Sequence, residues 1–114
     1  MLDQATHLAQ AAHNEAFLGE IDQSTRSDWF VTVLFYAAVH YVDAYLATKS
    51  EYPAGHVDRR RCLQFHPQTR AVFKEYERLQ NRSRAARYDA ARFNAAEMAT
   101  LRTKDLEVIK GTLK

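Results

Sequence analysis

Four polar side chains interrupt an otherwise apolar segment: Thr32, Tyr36, His40 and Asp43, at spacings of 4, 4 and 3 residues. On an α-helix this spacing places them within an arc of roughly 80°, as a polar seam. Burying such groups without partners costs about 1 to 3 kcal/mol each, so an arginine, water or a ligand must meet them. The polar seam is therefore either a satisfied structural network or a functional pair of His40 and Asp43.

A second pattern is a run of arginines that wraps around a later helix. Arg84 is predicted to face inward, because it lies eleven residues after the apolar Phe73 and hence on nearly the same side. An inward guanidinium opposite Asp43 would be either a structural ion pair or a phosphate clamp. The run consists of Arg78, Arg82, Arg84 and Arg87, followed by Tyr88 and Arg92.

A third candidate is the start of a short helix after a Pro/Gly loop, where His56, Arg59 and Arg60 lie close to free backbone N–H groups. This arrangement suits an anion, although a capping histidine beside solvated arginines explains it equally simply. Cys62 is predicted to be a small core residue. The sequence contains no CxxC, HExxH, Walker or GxGxxG motif and no E-x-x-H pair, so we predict neither a metal nor a cofactor.

Composition limits the kind of protein. With 114 residues the chain forms a single domain, residues 1–114. Three glycines and two prolines are too few for a many-stranded β fold, which leaves an all-α fold. The single cysteine, Cys62, and the absence of a signal-peptide pattern favour a reducing, cytoplasmic location.

Charge is unevenly distributed along the chain. Residues 1–55 carry two basic and seven acidic side chains, whereas residues 56–92 carry ten basic and four acidic ones. Nine of the eleven arginines lie in the second block. Arginine forms bidentate hydrogen bonds with phosphates and stacks on bases. This block is therefore either an anion-binding surface or a solvated helical face.

Hydrophobic periodicity predicts an antiparallel four-helix bundle with one additional short helix. The segment Trp29–Ala47 is long enough to span a membrane, but Asp43 within it argues for a central bundle helix instead, and we predict no membrane association. The predicted helices run from Leu2 or Asp3 to Leu18, from Ser24–Ser27 to about Ser50, from His56 to Phe65, from Pro67 to Tyr88, and from Asn94 to just before Gly111.

The first helix is predicted to bury a narrow stripe of small residues, which allows close approach of a neighbouring helix. A polar face lies opposite and is predicted to be wet. The buried stripe comprises Ala5, Leu8, Ala9, Ala12 and Ala16, and the wet face comprises Asp3, His7, Gln10 and Asn14.

With the helices placed, the chain resembles the HEPN family of small α-helical proteins over about residues 11–110. The resemblance lies in AxxNxxFL at residues 11–18, WFVTVLFYAAVHY at residues 29–41, the His56-x-x-Arg59 helix start and SRAARY at residues 83–88. It implies a helical bundle that dimerises, here through the apolar second helix. It also implies RNA or a nucleotide as ligand and, in many members, metal-independent RNA cleavage.

The catalytic signature of the family is an arginine followed four to six residues later by a histidine on the penultimate long helix. That helix has Tyr88 near the corresponding position, and the last histidine of the chain is His66. Arg61 and His66 satisfy the loose spacing, but Pro67 ends their helix. Tyrosine, with a reference pKa near 10, is a poor proton shuttle at neutral pH.

Three functions follow from these patterns. The leading hypothesis is a HEPN-like dimer that binds RNA or a nucleotide through an arginine-rich cleft. The second is a toxin-like, metal-independent ribonuclease with His40 and Arg84 as catalytic residues, or with His66 moving protons. The third is an interaction module paired with a nucleotidyltransferase. The ligand-binding residues we predict are Tyr36, Asp43, His56, Arg59, Arg60, Arg82, Arg87 and Tyr88.

Overall fold

The computed structural model describes residues 1–114, and all of its regular secondary structure is helical, without a β-strand. This confirms the predicted all-α class. The last long helix contains a π-helical segment between two α-helical ones. The elements are α1 (Gln4–Leu18), α2 (Ser27–Ala47), α3 (His56–Phe65), α4 (Pro67–Arg70), α5 (Phe73–Tyr88), α6 (Ala95–Thr100), the π segment (Leu101–Leu106) and α7 (Glu107–Thr112).

Helix α2 is the central element, as predicted, and packs mainly against α1 and α5. It ends at Ala47, earlier than expected, and Ser50 lies in a left-handed turn with φ 58°. By length and composition α2 is the one helix apolar enough to cross a membrane. Of its apolar 18-residue stretch, 72% is buried inside the protein. The central helix of a water-soluble bundle has the same properties.

The predicted orientation of α1 is wrong. The helix buries His7, Ala11 and Leu18 against the rest of the protein, whereas the alanine stripe that includes Ala12 is exposed. The physical reason is that His7 has a polar partner on α2, which removes the cost of burying it. Small alanines gain little from burial and tolerate the solvent side.

The predicted fourth helix is divided into α4 and α5 by Ala71 and Val72. The hydroxyl of Thr69, which is fully buried, donates to the carbonyls of Leu63, at 2.7 Å, and His66, at 3.1 Å. These bonds tie the short α4 to the end of α3, and two residues separate α4 from the start of α5 at Phe73. Helix α5 buries Tyr76, Leu79 and Ser83 against the rest of the protein.

The last helix begins at Asn94, as predicted, with a capping box in which Asn94 and Glu97 each accept from the other's backbone N–H. It does not stop before Gly111 but continues to Thr112. Because a π turn holds an extra residue, Leu101 and Leu106 both face the core although they are five positions apart.

Candidate anion-binding cleft

The four residues of the polar seam are all satisfied, but by different partners. The hydroxyl of Thr32 donates back to the carbonyl of Asp28 at 2.7 Å. The other three meet side chains from α5, α1 and α3 respectively, as described below. The polar seam therefore consists of four separate contacts made by α2 and is not one continuous site.

Asp43 pairs with Arg59 of α3. Nε of Arg59 lies 2.8 Å from one carboxylate oxygen and Nη2 lies 3.1 Å from the other, and both residues are only 8% exposed. The expected partner, Arg84, is exposed instead. The inward orientation predicted for Arg84 is wrong because α3 reaches Asp43 first and fills that side of α2.

His40 lies against α1, where its Nδ1 is 3.0 Å from Nδ1 of His7. Burial lowers the pKa of His40, and the neighbouring His7 and Arg59 lower it further, while Asp43 opposes them. His40 is therefore neutral at pH 7 and forms part of the α1–α2 contact. The structure does not bring His40 together with Arg84, which is exposed on α5 and lies in a cleft beside α3.

Arg84 does line a cleft, between the start of α3 and the middle of α5. The cleft has a volume of about 300 Å³. Within it the guanidinium of Arg60 is already engaged, by Glu77 at 2.9 Å and Gln80 at 3.1 Å. Arg84 forms no ion pair, so its charge is uncompensated. The basic cleft, as we call it, is lined by His56, Val57, Arg60, Glu77, Gln80, Asn81 and Arg84.

Arg87 lies about one turn further along α5 than Arg84, next to the basic cleft and close enough to His56 to affect its pKa. Its guanidinium donates to the hydroxyl of Tyr36 at 3.1 Å, and to the carbonyl and hydroxyl of Ser83 at 3.2 Å each. It also lies over the rings of Tyr36 and Tyr88, 5.7 and 5.3 Å from their centroids. All of these partners are neutral, so they fix the side chain without cancelling its charge.

His56 begins α3 at the mouth of the basic cleft, with its ring 5.7 Å from that of Phe35. Burial lowers its pKa, and Arg59, Arg87 and Arg84 lower it further. Nδ1 of His56 lies 3.4 Å from Nη1 of Arg59, which can only donate. In the neutral ring the proton then resides on Nε2, which is left to donate to a ligand.

Other predicted residues lie elsewhere. Arg82 is exposed and lines a separate cavity with Asn94 and Glu97, on a different side of α5 from Arg84. Tyr88 is exposed beside Arg87. The loosely matching Arg61 and His66 do not meet, since Arg61 pairs with Asp58 and His66 pairs with Glu51.

Sequence reasoning missed two features. His7 was assigned to the wet face of α1, and no pattern within α1 alone reveals its partner on α2. Glu77 was not singled out, although its position three residues before Gln80 indicates that both lie on one face of α5.

No family model, curated protein or solved structure matches the chain. Nor do three histidine, cysteine, aspartate or glutamate side chains come close enough together to hold a metal ion. The geometry of the site offers cations and hydrogen-bond donors but few acceptors.

Proposed function

We propose that this protein binds RNA or a nucleotide through the basic cleft. The observation that carries the proposal is the pair Arg84 and Arg87, neither of which has a carboxylate partner, beside a neutral His56. Uncompensated guanidinium groups held by neutral neighbours are suited to phosphate, which they contact in a bidentate manner. Tyr36 and Tyr88 add aromatic surface on which a base can stack.

The proposal includes a HEPN-like four-helix bundle with one additional short helix, acting as a homodimer in the cytoplasm. The order of helices and the capped last helix support this bundle. The apolar side chains of α2 are mostly used inside the chain, so dimerisation through α2 would involve its exposed residues, such as Trp29. A nucleotidyltransferase partner stays a prediction.

The test is binding of a fluorescently labelled single-stranded RNA oligonucleotide, followed by anisotropy. Arg84→Ala combined with Arg87→Ala should weaken binding at least tenfold, because two phosphate contacts are lost. Arg70→Ala is the control for charge, since Arg70 is exposed on α4 and does not line the basic cleft. Equal losses in both proteins would show that the cleft is not the site.

Ribonuclease activity is the second candidate, and the observation that favours it is the position of His56. An imidazole with a lowered pKa can act as an acid or base, and the two adjacent arginines, which have no carboxylate partner, can stabilise a phosphorane. The contact with Arg59, however, leaves Nε2 protonated, which suits donation to a phosphate better than abstraction of a 2′-hydroxyl proton.

Cleavage is tested with the same RNA in EDTA. If the protein is an enzyme, His56→Ala should abolish cleavage and leave the affinity within a few-fold, whereas His40→Ala should not affect the chemical step. RNA that stays intact with the wild-type protein, although it binds, would leave binding as the function.

A further inference from the structure

The basic cleft contains one carboxylate, that of Glu77, among cations and amides. Its Oε2 accepts from Nη2 of Arg60 at 2.9 Å, whereas its Oε1 has no hydrogen-bond partner within the protein. The Glu77 side chain is 42% exposed, and Oε1 is not among the buried atoms that lack a partner. This free oxygen is therefore accessible to a ligand in the basic cleft.

Arg60 holds the carboxylate of Glu77 in place. Besides its contact with Glu77, the Arg60 guanidinium donates to Oε1 of Gln80 at 3.1 Å. It also lies over the ring of Phe73, 5.1 Å from the centroid. Because Arg60 compensates its charge, Glu77 repels a phosphate in the cleft less than a lone carboxylate would. The cleft thus carries a positioned acceptor without losing its affinity for anions.

The acceptor and the uncompensated cation lie on one face of α5. Glu77, Asn81 and Arg84 follow each other at spacings of 4 and 3 residues, and all three line the basic cleft. Glu77 and Arg84 are seven residues apart, which is about 10.5 Å along the helix axis. A ligand that uses both ends must carry an anionic group for Arg84 and a hydrogen-bond donor for Glu77.

The sugar-phosphate backbone of RNA carries both groups side by side, since the 2′-hydroxyl lies on the carbon next to the one that bears the 3′-phosphate. Amino groups of bases are also donors, but no Phe, Tyr or Trp lines the basic cleft to stack a base there. The aromatic rings of Tyr36 and Tyr88 lie beside Arg87 instead. The Glu77 end of the cleft is therefore suited to a sugar.

We propose that Glu77 makes the basic cleft select ribose over deoxyribose, with its free oxygen accepting from a 2′-hydroxyl next to the phosphate at Arg84. This inference rests on the proposed function, which places that phosphate in the cleft. The 2′-hydroxyl is the group by which a protein distinguishes RNA from DNA at a given site. Glu77 is thus a specificity-determining residue, and its role is separate from the phosphate contact of Arg84.

The experiment uses the full chain and three fluorescently labelled single strands of the same sequence: RNA, DNA and 2′-O-methyl RNA, with uracil in all three. Anisotropy titrations should show RNA binding about tenfold more tightly than the other two, because both lack the hydroxyl donor to a charged acceptor. If 2′-O-methyl RNA binds as tightly as RNA, the protein does not recognise the donor and the inference is overturned.

Glu77→Ala should bring the ratio of RNA to DNA affinity close to one. The melting temperature should change little, because the pair with Arg60 is partly exposed. Loss of a negative charge strengthens the binding of both nucleic acids, so the ratio is the informative quantity. Glu75→Ala is the matched control, since it removes a carboxylate of the same helix that does not line the cleft and should leave the ratio unchanged.

The remaining outcomes separate this inference from the proposed function. A preference for RNA that persists in Glu77→Ala would show that another residue reads the sugar. If RNA and DNA bind the wild type equally and Arg84→Ala weakens both, the role of Glu77 is wrong and the phosphate site stands. If neither nucleic acid binds, both the selection of ribose and the proposed function are overturned.

Discussion

The guanidinium of Arg59 holds the carboxylate of Asp43 in a two-pronged contact, with one bond of 2.8 Å and one of 3.1 Å, and so joins α3 to α2. The remaining nitrogen of the same guanidinium lies 3.4 Å from the ring of His56. A buried ion pair thereby fixes the imidazole at the mouth of the basic cleft. In the proposed site Arg59 and Asp43 would position His56 and would not contact a ligand themselves, because both are buried.

The first prediction concerns the stability of this pair. Asp43→Ala should lower the free energy of unfolding by about 3 to 5 kcal/mol, because it leaves a buried guanidinium unpaired. Arg61→Ala, which breaks an exposed pair with Asp58, should cost less than about 1 kcal/mol. Urea denaturation measures both values. Similar losses for the two variants would contradict the structural role of the buried pair.

The second prediction is a loss of stability in mild acid through His40. Its pKa is lowered in the folded protein by burial, so the unfolded chain binds more protons as the pH falls below about 6.5. The stability is complete above that value and is lost as the pH falls through the folded pKa. The groups facing His40 are His7 on α1, Asp43 on α2 and Arg59 on α3.

Thermal melts between about pH 7 and pH 5 test this prediction. His40→Asn should flatten the pH dependence relative to the wild type. His13→Asn is the matched control, since His13 is exposed on the helix that carries His7. A pH profile that is unchanged by His40→Asn would place the proton uptake elsewhere.

The third prediction tests which face of α1 is buried. Ala11 is fully buried, so Ala11→Leu should overpack the α1–α2 contact and cost about 1 to 3 kcal/mol. Ala12 is exposed, so Ala12→Leu should change the free energy of unfolding by less than about 0.5 kcal/mol. The two substitutions are identical in chemistry and adjacent in the chain. A larger loss of free energy of unfolding for Ala12→Leu than for Ala11→Leu would show that the alanine stripe is buried after all.

The fourth prediction is a salt dependence of RNA binding. The logarithm of the binding constant should fall linearly with the logarithm of the salt concentration, because phosphate contacts release counterions. Arg84→Ala should reduce the magnitude of this slope by about 0.7 for a single strand, and Arg70→Ala should leave it unchanged. Anisotropy titrations at several salt concentrations measure the slope.

Local patterns in the sequence determined much of the fold. Period and composition gave the all-α class, the position of the central helix and the start of the last helix, whose Asn94–Glu97 box is a contact within one turn. The arginine-rich character of α5 was also visible in the sequence. Such features depend on residues a few positions apart, and their physics is complete within a single helix.

Tertiary packing decided the rest. Whether His7 is wet or buried depends on His40, thirty-three positions away, and which arginine meets Asp43 depends on where α3 lies. Arg84 and His56 share a cleft for the same reason. The free energy of burying a polar group depends on the partner that meets it, and distant partners are brought together only when the helices pack.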